Sequence, residues 1–455
     1  MDPKLTAAAE GFILGVDAEM FIITGPVMVS GLIYWIMTLF KGNPQWNAVP
    51  LGSSFCLHKE GQACILKRKA GEDVELTHIF SLIEQLNEPY CDLWEQVCNI
   101  ESPTEFKQGV DAVGQVFIQI ARQNQWTVEI AEQEKAGNAI CITMNPESDQ
   151  KPLAVSGHID TVFPLGTFPA PAVHRDNGRI YGPGVIDCKG GVVAAVMAMD
   201  ALTRCGFRKR PIKLIIQTDE ETSSITSNKQ TVAFMLEKAR DAVAFLNLEG
   251  VQYGTAVLSR KGILRYRFTV RGKSAHAAKC LEGANAICEA AHKIIQLEKW
   301  KDADGITCNC GVIQGGTVPN SVAEECVFHA DIRFADQAQY RQAVQMCEKI
   351  AAESTVPGCT CHLEKVSERP AMPRTSVNEA LFEKMNAIYA SCGLPVLKPR
   401  HCLGGSDAAY TTQAGIPTVD SLGVDGGKIH SLQEFAYIES LVDCAKRLAA
   451  MALYI

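Results

Sequence analysis

PLAVSGHID at 152–160, IKLIIQTDEE at 212–221 and VAFLNLEG at 243–250 decide how this chain folds. Each opens with an apolar run of the length of a buried strand. Each then ends in side chains able to bind a metal or move a proton: His158 and Asp160, Glu220 and Glu221, Glu249. Between the first two lies GGVVAAVMAMDALT at 190–203, small and apolar, as a helix packed on a sheet must be. Strand and helix in alternation predict a mostly parallel sheet covered on both faces. In such open sheets ligands collect beyond the carboxyl ends of the strands, where all these polar residues fall.

Upstream, apolar residues recur at helical spacing over 76–100 and, after the break Ser102-Pro103-Thr104, over 106–123. Two helices are therefore expected before the first strand. Downstream the pattern changes, with strand 264–270, helix 284–297, strands 306–313 and 325–333, helix 338–352 and strand 360–366. This β-α-β-β-α-β order is the ferredoxin-like split unit. After Arg369-Pro370-Ala371-Met372-Pro373 a helix, the loop Gly404-Gly405-Ser406-Asp407 and a strand at 417–421 resume the first architecture. The reading is an α/β catalytic domain with a mixed, largely parallel sheet, split into 75–261 and 369–455 around an inserted α+β domain at 262–368. Residues 1–74 form an N-terminal extension.

The chain of 455 residues carries 51 acidic against 43 basic side chains and no sustained basic run, so nucleic-acid binding is not expected. Its 18 cysteines are scattered and follow no secretory leader, which suits reduced thiols in the cytoplasm. The pairs Cys308/Cys310 and Cys359/Cys361 lack partners at zinc-finger spacing. Residues 20–40 are uncharged over a length that can cross a bilayer, about 20 residues. Acidic residues precede the run and Lys41, Lys59, Lys67, Arg68 and Lys69 follow it, an order that would leave the catalytic part in the cytoplasm. Gly25, Pro26, Ser30 and Gly31 weaken a span, so an anchor and a plain extension both stay open. Residues 41–75 read as linker.

A catalytic zinc site needs imidazole and carboxylate ligands on rigid elements and one open position. His158, Asp187, Glu221 and Glu249 supply most of this, and His430, in the Gly-rich loop GGKIHS at 426–431, is the candidate second imidazole. Glu220 and Glu221 need separate roles, because a carboxylate bound to metal cannot also serve freely as a base. Taken alone, Thr218-Asp219-Glu220-Glu221-Thr222 reads first as a solvated acidic turn. Other chemistries fail on inspection: Arg267 stands where a phosphate loop needs Gly, and no G-x-S-x-G or H-E-x-x-H occurs.

Six motifs in order, SGHIDTV (156–162), GPGVIDCKGG (182–191), DEE (219–221), GKSAHA (272–277), GGTVPN (315–320) and GGSDAAY (404–410), resemble the co-catalytic zinc exopeptidases. That family includes glutamate carboxypeptidases, aminoacylases, acetylornithine deacetylases and succinyl-diaminopimelate desuccinylases. The resemblance spans residue 75 to the C-terminus and is greatest to bacterial glutamate carboxypeptidases. It implies the zinc-exopeptidase fold and two Zn²⁺ per subunit, with other divalent metals as substitutes. Asp187 would bridge them, His158 and Glu249 completing one site and Glu221 and His430 the other. Asp160 would fix the His158 tautomer and Glu220 would be the general base. A cis peptide is implied at Asp187-Cys188. His276 would reach the active site of a partner subunit and stabilise the oxyanion, which makes the inserted domain a dimerisation domain and a homodimer the expected assembly. Asn320 and Arg333 would hold the substrate, and Gly404, Gly405 and Ser406 would frame its pocket with backbone donors. The implied activity is release of a C-terminal amino acid, glutamate first, from a small peptidyl or acyl amide with a free carboxylate. An N-acyl-amino-acid deacylase is the near alternative, and a non-catalytic metal-binding protein with this fold the distant one.

Overall fold

Leu153–His158, Ile212–Gln217 and Ala244–Asn247 are strands, as the three apolar runs predict. The computed structural model describes residues 70–252 and 254–455, with side chains from 75 onward, and the backbone of four strands before them. Those four, Ile13–Asp17, Met20–Thr24, Trp46–Leu51 and Ser54–Lys59, pair antiparallel in the order first, second, fourth, third. The last two fall where the composition predicts linker. Of the uncharged run only Met20–Thr24 is described, and 25–40 lies outside the described residues. Among the described residues no helix is long and apolar enough to cross a membrane. The chain divides into two units, and the larger, 71–385 with 397–455, carries everything that follows.

Its main sheet has six strands. Thr418–Val419, Ala244–Asn247, Leu153–His158 and Ile212–Gln217 run parallel in that spatial order. Ala139–Met144 and Thr127–Ala131 then extend the edge antiparallel. Neither of these two strands is among those expected from the sequence: TVEIA at 127–131 is half exposed and shows no apolar run, but AICITM at 139–144 is buried throughout and does carry one. Three helices, not two, precede it, since the first stretch breaks at Leu86 into Ala70–Gln85 and Asn87–Asn99 before Lys107–Gln123.

Both faces of the sheet are covered. Ala154, Ile215 and Phe245 pack with Val232, Met235 and Ala239 of the Gln230–Ala239 helix. On the other face the Lys189–Arg204 helix, buried from Lys189 to Leu202, lies so close that a Cβ on Gly191 would sit 2.4 Å from the Leu248 carbonyl oxygen. Only glycine permits that approach. Trp94 closes this layer: it is fully buried and its indole N–H donates to the Val185 carbonyl at 3.0 Å, just ahead of Asp187. Trp94→Ala is expected to destabilise the fold by about 3–5 kcal/mol in urea unfolding, and Trp94→Phe by much less; equal losses would mean that the ring fills no cavity.

The insertion has the expected order. Its strands Gly262–Arg271, Thr307–Gly315, Glu325–Phe334 and Thr360–Arg369 form an antiparallel sheet in the spatial order second, third, first, fourth. Alternate residues of Glu325–Phe334 are buried, and Phe328 stacks on Phe268 with ring centroids 4.6 Å apart. Helices Ala286–Leu297 and Gln337–Ala352 cover the buried face.

Candidate metal centre and active site

Four of the polar side chains arrive on rigid supports. His158 is the last residue of its strand, Glu220 and Glu221 follow the neighbouring parallel strand, and Glu249 follows the strand on the other side. Asp187 precedes the Lys189–Arg204 helix through a cis Asp187-Cys188 peptide, as the resemblance implies. His430 comes from the loop between Gly426–Gly427 and Phe435–Tyr437.

Asp187 stands between the two imidazoles. Its Oδ1 is 3.0 Å from His158 Nε2 and its Oδ2 is 3.1 Å from His430 Nε2. Glu221 Oε2 is 3.2 Å from His430 Nε2, and Glu249 Oε1 is 3.9 Å from His158 Nε2. One carboxylate thus offers an oxygen to each imidazole, the arrangement a bridging ligand needs, and Asp187 also groups with His158 and Glu221 within 4.8 Å. His158 Nδ1 points the other way, 3.3 Å from Asp160 Oδ1, which reserves Nε2 for a metal. Asp160 is fully buried and does more than orient the ring. It accepts from Thr104 Oγ1 at 2.7 Å and from the backbone N–H groups of Glu220 and Glu221 at 3.2 and 3.1 Å.

The acidic turn is not solvated. Glu220 is buried, with Oε1 on Arg369 Nη1 and its carbonyl 2.5 Å from Arg369 Nη2. One atom from each of His158, Glu220 and Glu249 lies within 4.8 Å of the others, which places this carboxylate beside the ligands. Arg369 is invisible in the sequence, where Arg369-Pro370 is only a boundary. Asp407 is missed as well: its Oδ1 is 3.8 Å from Arg369 Nη2, and burial pushes it up to about 7.

Electrostatics bear on what the site can hold. Burial drives Glu249 well above the usual carboxylate range, and the Asp187 and Glu220 charges add to it. Burial and Asp187 push Glu221 up to about 8. Burial opposes ionisation of Asp187 too, yet hydrogen bonds from both imidazoles hold it below its ordinary value. Hydrogen bonds to Asp187 and Glu221 raise His430 to about 10. Crowded carboxylates with two imidazoles are strained by like charge and fit a pair of divalent cations.

The remaining candidates lie apart. His276 and Asn320 are exposed neighbours on the insertion, joined by the Ala277 N–H donating to the Asn320 carbonyl at 2.9 Å. The guanidinium of Arg333 is held by Asp331, with Nε 2.6 Å from Oδ1 and Nη2 3.1 Å from Oδ2, the strand-end ion pair that its neighbour also permits. No hydrogen bond or ion pair described for these three reaches the metal ligands. Ser406 is fully buried and its hydroxyl donates to Asp420 Oδ2 at 2.6 Å, so its side chain is not free to meet a substrate. The Gly404 carbonyl accepts from Arg260 Nη1 at 3.2 Å, and Gly405 lies against the Arg369 side chain.

The sequence pattern of peptidase family M20/M25/M40 matches residues 154–454. The chain belongs to that family. It is an M20 metallopeptidase by kinship, and the proteins it resembles include a carboxypeptidase and a deacylase. Carboxypeptidase G2 of Pseudomonas sp. (strain RS-16) is 27% identical over 345 residues, covering 74% of this chain and 82% of its own. Acetylornithine deacetylase of Myxococcus xanthus is 26% identical over 328 residues, covering 69% and 82%. Among solved structures, a tripeptidase from Staphylococcus aureus superposes with a TM-score of 0.67 at 23% identity over 81% of this chain and 98% of that one, a likeness of fold.

Proposed function

We propose that this M20 hydrolase binds two Zn²⁺ ions and releases a C-terminal amino acid, glutamate first, from a peptidyl or acyl amide. The observation that carries the reading is Asp187, with one oxygen toward His158 and the other toward His430, and Glu220 buried alongside. Similarity to carboxypeptidase G2 supports the choice of leaving group. His158, Asp187 and Glu249 would hold one ion and Asp187, Glu221 and His430 the other. When bound, the ions polarise the scissile carbonyl and acidify water. Glu220 takes the proton from the attacking water and returns it to the leaving amine. Arg369 fixes one Glu220 oxygen and leaves the other to face the substrate.

Arg333 and Asn320 would orient the free carboxylate, Arg333 exchanging part of its Asp331 pairing for the ligand. His276 would donate to the developing oxyanion in a second copy of the chain. Mixing inactive Glu220→Gln with inactive His276→Ala is then expected to restore turnover, because hybrid dimers hold one site with both residues intact. No recovery, with subunit exchange verified by mass, would confine His276 to its own chain.

The reading is tested by incubating the Zn²⁺-loaded protein with folyl- or peptidyl-glutamate and, in parallel, N-acetyl-amino acids. Preference for the second series would favour the deacylase reading, which similarity to acetylornithine deacetylase supports. Turnover of neither would leave a metal-binding protein without this activity.

A linked test concerns metal alone. Glu221 titrates near 8 in the folded chain against an ordinary 4.5, so the folded, metal-free protein holds a proton that the unfolded chain releases in that window. The stability from this group is full below about 4.5 and is lost as pH rises through 8. Zn²⁺ must displace that proton and competes better once it has gone. The rise in Tm on adding Zn²⁺ is expected to be larger at pH 8 than at pH 6 in scanning calorimetry. An equal or smaller rise at pH 8 would contradict it.

A further inference from the structure

The exposed member of the ligand set needs an anchor. His430 is 53% exposed on its side chain, and both it and Lys428 take left-handed backbone angles, φ +60° and +61°, that non-glycine residues avoid. Several bonds within the loop are local, such as Ser431 N–H to the Lys428 carbonyl at 3.1 Å and Glu434 N–H to the Ser431 carbonyl at 3.1 Å. Local bonds shape a turn but do not place it against Asp187.

Glu434 does. It is 2% exposed, four residues beyond His430, and its Oε1 accepts from the backbone N–H groups of Ile186 and Asp187 at 3.1 and 3.3 Å. Its carbonyl accepts from Gly182 N–H at 3.2 Å. Strand Phe435–Tyr437 pairs antiparallel with Arg179–Tyr181, so the His430 loop enters this ladder where the Gly182–Asp187 loop leaves it. Glu434 fills the gap between the two loops, on the backbone of the residue that faces both imidazoles.

We propose that Glu434 is a positioning residue for the metal centre: by tying the Asp187 backbone to the His430 loop it sets the position shared by Asp187, Glu221 and His430. It touches neither substrate nor metal, and acts through the two ligands it holds. The proposal rests on the dinuclear reading above. A staple that served only folding would lower the melting temperature without changing how the folded protein binds metal.

The test is calorimetric titration of metal-free full-length protein with Zn²⁺, with Co²⁺ absorption to report ligand geometry, for wild type, Glu434→Ala, Glu434→Asp and Glu434→Gln. Wild type is expected to show two binding events. In Glu434→Ala one event should stay and the other weaken about 10–100-fold, as loss of a residue supporting a ligand does elsewhere. Glu434→Asp keeps a carboxyl group but cannot reach both N–H groups, and should weaken the same event; it carries the test if the alanine variant does not fold. Glu434→Gln keeps the accepting oxygen and should hold both events within about threefold. In a His430→Ala background Glu434→Ala should add no further loss, because the limb it positions is gone. Two wild-type-like events in folded Glu434→Ala or Glu434→Asp would overturn this inference alone. A wild-type protein that takes up a single ion would overturn the dinuclear reading and this inference together.

Discussion

Glu220→Gln is expected to lower kcat by about 10²–10⁴-fold while Zn²⁺ content stays at the wild-type level. The geometry gives the reason for both halves. Glutamine is isosteric and keeps an oxygen to accept from Arg369 Nη1, and the Glu220 carbonyl keeps its bond to Nη2. The backbone N–H groups of Glu220 and Glu221 stay on Asp160, so Glu221 is not displaced. What is lost is the capacity to take a proton from water and return it to the amine. Glu221→Gln, one residue away, should instead release metal, because Glu221 faces His430 at 3.2 Å in the set proposed to hold an ion. The contrast is read by steady-state kinetics beside elemental analysis. Turnover near wild type in Glu220→Gln would remove the general-base assignment.

Asp187→Asn should do more damage to metal binding than any other single change. Its two oxygens face different imidazoles, so both positions lose a charged ligand at once. Loss of a residue that merely supports a ligand weakens binding about 10–100-fold, and loss of a shared ligand is expected to exceed that at both positions. Bound metal should fall from two equivalents toward none after gel filtration, with turnover below detection. His158→Ala or His430→Ala should spare one position in part, since each faces one side of Asp187. An Asp187→Asn protein that keeps two ions would show that the carboxylate does not bridge.

The candidate ligands His158, Glu221 and Glu249 were legible because they close or follow apolar strands, where periodicity, length and the rule of carboxyl ends act together. His430 was a candidate from its Gly-rich loop alone, and the resemblance gave it a place beside Asp187 and Glu221. The insertion was legible from element order alone, and its sheet has the spatial order that this unit adopts. Of the antiparallel pair, Thr127–Ala131 was not, because an exposed edge strand needs no apolar run, whereas the buried run Ala139–Met144 carried a signal that went unread. The inward turn of the Ser406 hydroxyl, onto Asp420 fourteen residues on, has no local signal in a Gly-Gly-Ser loop.

Arg369, Asp407, Glu434 and Thr104 went unread for one reason. Arg369 meets Glu220 across 149 positions, and Glu434 meets Ile186 across 248. Each matters through what it touches after burial, and a buried polar group is chosen by its partner and not by its chain neighbours. The sequence alone determined the alternation of strand and helix, the inserted unit and the residue types at the strand ends, because these depend on local period and composition. The tertiary structure decided that Asp187 lies between two imidazoles, that the acidic turn is buried on Arg369, and that Ser406 faces inward, because those facts are distances between segments far apart in the chain.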